Sequence, residues 1–212
     1  MSVEGRPRPG SLEPALAVLG MPVPDSSFAQ RARELIVEAA PAFLVNHSIR
    51  AYAWAVGLAE HDELAFDPEL LYVAALLHDI GLVPEYDLAG CFEFDGALAA
   101  RTFAVRHGQP ALRAAAIHDV IALHMAAELP PDPAPEVTLL WDSTGVDVTG
   151  YRFGDLRPEV VPPVLEAYPR LGFKRGFAAL FADQAARKPD CRVAEMVAAG
   201  KLAAIEAAPF AD

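Results

Sequence analysis

The chain has 212 residues, a formal net charge of −12, and 53% hydrophobic against 22% charged residues. This length and composition predict one globular domain with a sizeable core. The negative charge argues against a partner such as nucleic acid or an anionic membrane surface, because both require clustered Lys and Arg side chains.

Residues 1–25 contain five prolines and three glycines. This composition predicts a flexible, Pro-rich N-terminal arm, with no more than a short turn near Leu16–Leu19. The catalytic domain is expected to span residues 26–212. It begins at Ser26-Ser27, because serine is a good N-cap for a helix that runs to about Ala40.

A second helix is predicted from about Asn46 to Glu60. The third follows Asp67-Pro68 and reaches His78-Asp79, where Gly81 and Pro84 end it. Later helices are expected over about 95–107, 110–128, 136–147, 158–167, 173–186 and 192–199. Alanine is abundant, and runs of alternating β-branched residues are missing. We therefore predict an all-α helical bundle, a fold in which metal sites are built from facing helices.

The two cysteines, Cys91 and Cys191, form no CxxC pair. We therefore expect neither a disulfide framework nor a cysteine zinc site, and we expect a reducing cytoplasmic compartment. No run approaches 18 apolar residues, and no signal-peptide core follows the first arginines, so no membrane span is predicted.

The most informative pair of residues is His78-Asp79, which follows an apolar helical stretch over residues 70–77. A carboxylate beside such a stretch is costly to bury unless its charge is compensated. A divalent metal ion would compensate it and would also supply a Lewis acid or an activated water.

Further ligands must come from other helices. His47 begins the second helix, with Arg50 on the same helical face. Asp147 lies in an otherwise apolar segment of small residues, and Asp142 is its rival as the fourth ligand. The predicted set, His47, His78, Asp79 and Asp147, offers mixed nitrogen and oxygen ligands that suit zinc, Fe2+ or Mn2+.

The other histidines leave alternatives open. His107, His118 and His124 lie between the His-Asp pair and Asp147, so a second metal ion is conceivable. His118 and His124 are six residues apart, which puts them nearly opposite on a helix. His107 also suits a helix C-terminus, His124 suits a pocket wall, and His61 suits a solvated helix end.

The order His, His-Asp, Asp, with spacings of 31 and 68 residues, resembles the HD-domain superfamily of helical metal-dependent hydrolases. The resemblance covers about residues 30–185. Several short segments resemble its cyanamide hydratase branch in particular: residues 46–50, 76–81, 92–97, 122–124, 147–150 and 167–170.

The resemblance implies one bound metal ion, usually zinc, held by the two histidines and two aspartates. A water or hydroxide on that ion would add to the carbon of a small nitrile, converting cyanamide to urea in a lyase reaction. Asp79, His124 or Glu93 would relay protons, and Arg50 would orient Asp79 or contact the substrate. Glu93 also suits a helix cap.

The alternative is an HD phosphohydrolase acting on a nucleotide or a small phosphate ester. Leu82 stands where HD monophosphatases carry a glutamate, and acidic residues rather than a basic cluster follow the motif, which weakens this alternative. A third possibility is a degenerate HD protein that binds without turnover. No Gly-rich nucleotide loop and no Gly-x-Ser-x-Gly elbow is present, so we expect no organic cofactor. We expect a small-molecule substrate, and the alanine-rich helical faces and the C-terminal segment make a homo-oligomer possible.

Overall fold

The computed structural model describes residues 12–212, and this part of the chain is built from helices without any β-strand. The all-α prediction is confirmed. The helices are α1 (Pro14–Val18), α2 (Ser27–Ala39), α3 (Ala42–His61), α4 (Pro68–Leu77), α5 (Phe92–Arg106), α6 (Ala111–Leu123), α7 (Pro135–Thr149), α8 (Val161–Ala167), α9 (Phe173–Arg187), α10 (Arg192–Ala198) and α11 (Lys201–Glu206), with 3-10 turns at Ile80–Leu82 and Phe153–Asp155.

The N-terminal segment differs from the expected arm. Residues 12–25 pack on the bundle, where α1 contacts α8 and Leu16 is fully buried. The carboxylate of Glu13 is also buried, and it accepts hydrogen bonds from Arg33, Tyr72 and Tyr168. These three donors offset the cost of burying its charge, which the proline content of the segment did not reveal. Residues 1–11 of the predicted arm lie outside the described residues.

Several helices begin or end a few residues from the predicted positions. The helix predicted from Asn46 begins at Ala42, because the extended Pro41 stands at the N-cap. The helix predicted to reach residue 128 ends at Leu123, with His124 as its C-cap. Helix α11 was not predicted, because its six residues are too few to show a helical period.

Helix α4 carries the His-Asp pair into the interior of the protein. Every residue from Leu70 to Leu77 is buried, and α4 packs against α2, α3 and α6. Helix α3 in turn packs against α7. The C-terminus of α4 is therefore placed beside His47 of α3 and Asp147 of α7.

The turn after the His-Asp pair presses closely on α5. A Cβ atom at Gly81 would collide with the carbonyl oxygen of Phe92 and lie 2.9 Å from the backbone nitrogen of Gly96. Only glycine permits this approach, so Gly81 holds the preceding His78-Asp79 pair against the first turn of α5.

The expectation that the cysteines stay unpaired is wrong. Cys91 and Cys191 form a disulfide with a Cα–Cα distance of 5.4 Å. They lie 100 residues apart and form no short motif, so their pairing could not be predicted from their spacing. The bond joins the N-cap of α5 to the N-cap of α10 and so ties the C-terminal helices to the bundle.

None of the helices described here is long and apolar enough to cross a bilayer. The cytoplasmic compartment remains a prediction.

Candidate metal centre

Three of the four predicted metal ligands meet at one point inside the bundle. His47, His78 and Asp79 are at most 1% exposed, and one ligand atom of each lies within 4.8 Å of the others. The Nε2 atoms of the two histidines are 3.2 Å apart. Oδ2 of Asp79 lies 3.1 Å from Nε2 of His78 and 3.4 Å from Nε2 of His47.

The other ring nitrogen of each histidine is already engaged. Nδ1 of His47 lies 2.8 Å from Oδ2 of Asp147, and Nδ1 of His78 lies 2.8 Å from the carbonyl oxygen of Ala75. A carbonyl or carboxylate oxygen can only accept, so each Nδ1 donates. In a neutral ring, Nε2 then presents its lone pair to the shared point.

The same point contains an acceptor without a partner, because Oδ2 of Asp79 is buried and receives no hydrogen bond. When both rings are neutral, two imidazole lone pairs and a carboxylate oxygen therefore converge with no donor among them. Such an arrangement is costly unless a cation lies between the three groups. The residues present consequently fit a divalent metal ion.

His124 lies directly beside these three ligands. Its Nε2 atom is 3.6 Å from Oδ1 of Asp79, and its ring centroid is 5.0 Å from that of His78. Nδ1 of His124 lies 2.6 Å from the carbonyl oxygen of Ile121, so Nδ1 donates and Nε2 faces Asp79. The prediction that His124 lines the pocket agrees with this position.

Asp147 is not among the three clustered ligands. It contacts Nδ1 of His47, whereas the Nε2 atom on the opposite side of that ring faces His78. Its oxygens also accept hydrogen bonds from Arg50 at 2.8 and 2.7 Å and from Trp54 at 2.9 Å. In this arrangement Asp147 orients His47, one of the predicted metal ligands, and carboxylates commonly hold metal-binding histidines in this way.

Arg50 contacts Asp147 and not Asp79. Its fully buried guanidinium donates to both oxygens of that carboxylate and to the carbonyl oxygen of Tyr168. Burial alone would raise the pKa of Asp147, but the charge of Arg50 and the hydrogen bonds of Arg50 and His47 hold it well below its usual range. The sequence argument that His47 and Arg50 share a face holds, since both contact Asp147.

Glu93 stands in the first turn of α5, where it is 3% exposed. Burial raises the pKa of its carboxyl, and its Oε2 atom has no hydrogen-bond partner. It is not among the residues that line the cavity.

The remaining candidates lie away from the centre. His61 is exposed and His118 is half-buried, and each pairs with the aspartate that follows it; His107 is an exposed C-cap of α5. Asp142 forms an ion pair with Arg152 at 2.6 Å. Within residues 12–212, the cluster at His47 is the one group of histidines, cysteines and carboxylates with ligand spacing, so a second metal site finds no support there.

A cavity of about 280 Å³ leads to the cluster and opens to solvent. His47, His78, Asp79 and His124 form its polar end. Aromatic side chains, including Trp141, Phe177 and Phe181, form much of the wall, and α10 and α11 contribute Arg192 and Lys201. Small molecules can therefore reach the predicted metal ligands.

The protonation of His47 predicts how metal affinity depends on pH. Burial opposes a charge on this ring, but the carboxylates of Asp147 and Asp79 outweigh burial and raise its pKa. Burial lowers the pKa of His78, which stays neutral. A metal ion must displace the proton from Nε2 of His47, so affinity for Zn2+ should fall about tenfold per pH unit below that raised pKa and level off above it. Competition with a chelator across a pH series measures this, and an unchanged affinity in acid contradicts it.

Comparison with known proteins agrees with this site. The HD domain family model matches residues 44–140. Two Saccharomyces cerevisiae proteins, cyanamide hydratase DDI2 and cyanamide hydratase DDI3, are each 27% identical to the chain over 174 residues, covering 80% of this chain and 77% of each relative. His47, His78, Asp79 and His124 fall within the matched range, and Asp147 follows its end.

Proposed function

We propose that this chain, which belongs to the HD-domain family and resembles its cyanamide hydratase-like branch, catalyses the metal-dependent hydration of a small nitrile. Cyanamide, with urea as the product, is the first substrate to test. The observation that supports this most directly is the convergence of two imidazole lone pairs and an unpartnered carboxylate oxygen at the end of an open cavity.

His47, His78 and Asp79 would hold the metal ion, and three protein ligands are typical of catalytic zinc sites, which keep a position open. Zinc suits two nitrogens and one oxygen, as do Fe2+ and Mn2+. When bound, the ion supplies a Lewis acid that activates water and polarises the nitrile.

The side chains of the cavity would move the protons. Addition of water to C≡N joins its oxygen to carbon and moves one proton from that water to nitrogen, which gives isourea. A second proton shift, from oxygen to nitrogen, gives urea, so no further reactant is needed. Nε2 of His124 can accept the released proton, because Nδ1 already donates to Ile121. Asp79, whose Oδ1 is 3.6 Å away, stabilises the charged imidazole until the proton passes to nitrogen.

Asp147 and two phenylalanines would position His47. The carboxylate holds Nδ1, and the ring of His47 stacks on Phe173 at a centroid distance of 4.7 Å, with Phe177 at 5.4 Å. These contacts fix the direction of Nε2 before a metal ion binds.

One observation favours the phosphohydrolase alternative. Arg192 and Lys201 line the cavity, although they follow the His-Asp pair by more than a hundred residues. A phosphate ester would therefore find basic partners that the sequence around His78 does not contain.

Assays with Zn2+, Fe2+ or Mn2+ loaded protein test the proposal. We expect urea from cyanamide and no phosphate from mononucleotides. His124→Ala should lower kcat by about 10²–10⁴-fold with the metal retained, because it removes a proton relay. Asp147→Asn should weaken metal binding by about 10–100-fold, as expected for a residue behind the ligands.

The opposite results are equally informative. Phosphate release without urea would replace the proposal by the phosphohydrolase. Complete loss of metal from His124→Ala would make His124 a ligand, and complete loss from Asp147→Asn would restore the ligand set predicted from the sequence.

A further inference from the structure

We infer that the substrate of this cavity carries an anionic group, such as a carboxylate, which Arg192 and Lys201 bind while the reacting group lies at the histidine cluster. The nature of the reacting group rests on the proposed function. The charges and the size of the cavity indicate the anionic group independently of that function.

Arg192 has a buried N–H donor without a hydrogen-bond partner. Its NH1 donates to Glu195 at 2.8 Å on the exposed side, but its Nε atom is buried and has no hydrogen-bond partner. Buried N–H donors are nearly always paired in folded proteins. Arg192 also lines the cavity, so a ligand anion there would meet a guanidinium whose one ion pair within residues 12–212 lies on the exposed side.

The side chain of Lys201 forms no ion pair or hydrogen bond with any residue of the range 12–212. Its pKa is lowered, mainly by burial and also by the charge of Arg192. The other two lysines of the chain both have partners. Lys188 pairs with Asp87 and Asp95, and Lys174 donates to two backbone carbonyls. Lys201 thus differs from both in facing a cavity without a counter-charge.

The charges around the cavity are unusual for this protein. The chain has 29 acidic and 17 basic residues, yet Asp79 is the one acidic residue among those that line the cavity. Asp79 already belongs to the ligand cluster. Two cations near a cavity and no free carboxylate within it favour a negatively charged ligand.

The size of the cavity supports the same conclusion. A volume of about 280 Å³ exceeds what cyanamide needs, since a water molecule occupies only ~30 Å³ of liquid. Met125, Val148, Phe181 and Met196 add apolar wall surface to the cavity. A ligand that fills it would join its reacting group to its anionic group by a short apolar stretch.

Matched acid and amide pairs test this inference. We expect the metal-loaded protein to hydrate 4-cyanobutanoate with a kcat/KM at least tenfold above that for 4-cyanobutanamide, mainly through a lower KM. The double variant Arg192→Gln/Lys201→Met should reduce this preference to about one. Lys201→Arg, which keeps the charge, should retain most of it, and Arg101→Gln, at an exposed position on α5 outside the cavity, should leave it unchanged.

Equal rates for acid and amide in the unmodified protein overturn the inference. A preference that persists in the double variant also overturns it, because the carboxylate would then bind the metal ion. Circular dichroism of each variant verifies the fold.

Direct binding separates this inference from the proposed function. Calorimetric titration of the same acid and amide needs no turnover. Tighter binding of the acid, lost in the double variant, supports the anionic group even if no nitrile is hydrated. Urea formation from cyanamide together with equal binding of acid and amide would leave the proposed function standing and remove the inference.

Discussion

His78→Ala should abolish metal binding and activity while leaving the helical circular dichroism close to that of the unmodified protein. The substitution removes one of three converging ligands and leaves the Nε2 atom of His47 facing only Asp79. Loss of a residue that hydrogen-bonds to a metal ligand lowers metal affinity about 10–100-fold, so loss of a ligand itself should lower it more. Metal analysis after dialysis and a turnover assay measure the two effects separately.

His118→Ala is the matched control. It removes the same side chain from a half-buried position on α6 outside the cavity, where His118 pairs with the neighbouring Asp119. Metal content and activity should stay unchanged. Asp79→Ala should behave like His78→Ala, because it removes the unpartnered oxygen. Full activity of metal-stripped His78→Ala would refute the metal centre.

The sequence predicted the local part of this site well. His78 and Asp79 are neighbours, so their joint position required only the end of an apolar helix and the glycine break that follows. His47 needed one long-range assumption, that α3 packs against α4, which is common in helical bundles. For these residues, helix period and burial contained enough information.

The contacts of Asp147 were harder to predict. A buried carboxylate needs a partner, and the predicted partner of Asp147 was a metal ion. In the structure the partners are the Arg50 guanidinium, the Trp54 indole and the His47 imidazole, and the buried Arg170 guanidinium lies 3.4 Å from Oδ2. A long arginine side chain on one helix can reach several positions on the next, and residue types alone do not choose among them.

The part of the cavity wall that α10 and α11 form was not predictable. Arg192 and Lys201 lie on two short helices without a clear amphipathic period, and the disulfide from Cys191 to Cys91 ties that region to α5. Contacts between such distant segments depend on the completed packing of the bundle. Arg192 and Lys201, which we connect with substrate choice, therefore lie on the helices that are hardest to predict from sequence patterns.

Arg50→Met should destabilise the protein by about 3–5 kcal/mol, the cost of breaking a buried ion pair from one side. Arg50 and Asp147 are both fully buried, and both carboxylate oxygens accept from the guanidinium. Methionine fills part of the space, but it leaves the Tyr168 carbonyl without this donor and the Asp147 charge with the more distant Arg170, 3.4 Å away, as its remaining arginine. Chemical denaturation at neutral pH measures the change in the free energy of unfolding.

The pH dependence and an exposed pair provide the controls. The pKa of Asp147 is depressed in the folded state, so its pairing stabilises the protein above the unfolded pKa of about 3.9 and is lost as pH falls toward the folded pKa. The deficit of Arg50→Met should therefore shrink in acid. Arg31→Met, which breaks an exposed pair with Glu34, should cost less than about 1 kcal/mol. The contradicting result is that Arg50→Met lowers the free energy of unfolding no more than Arg31→Met does. In that case the Arg50–Asp147 pair contributes little stability, and it does not hold Asp147 in position beside His47.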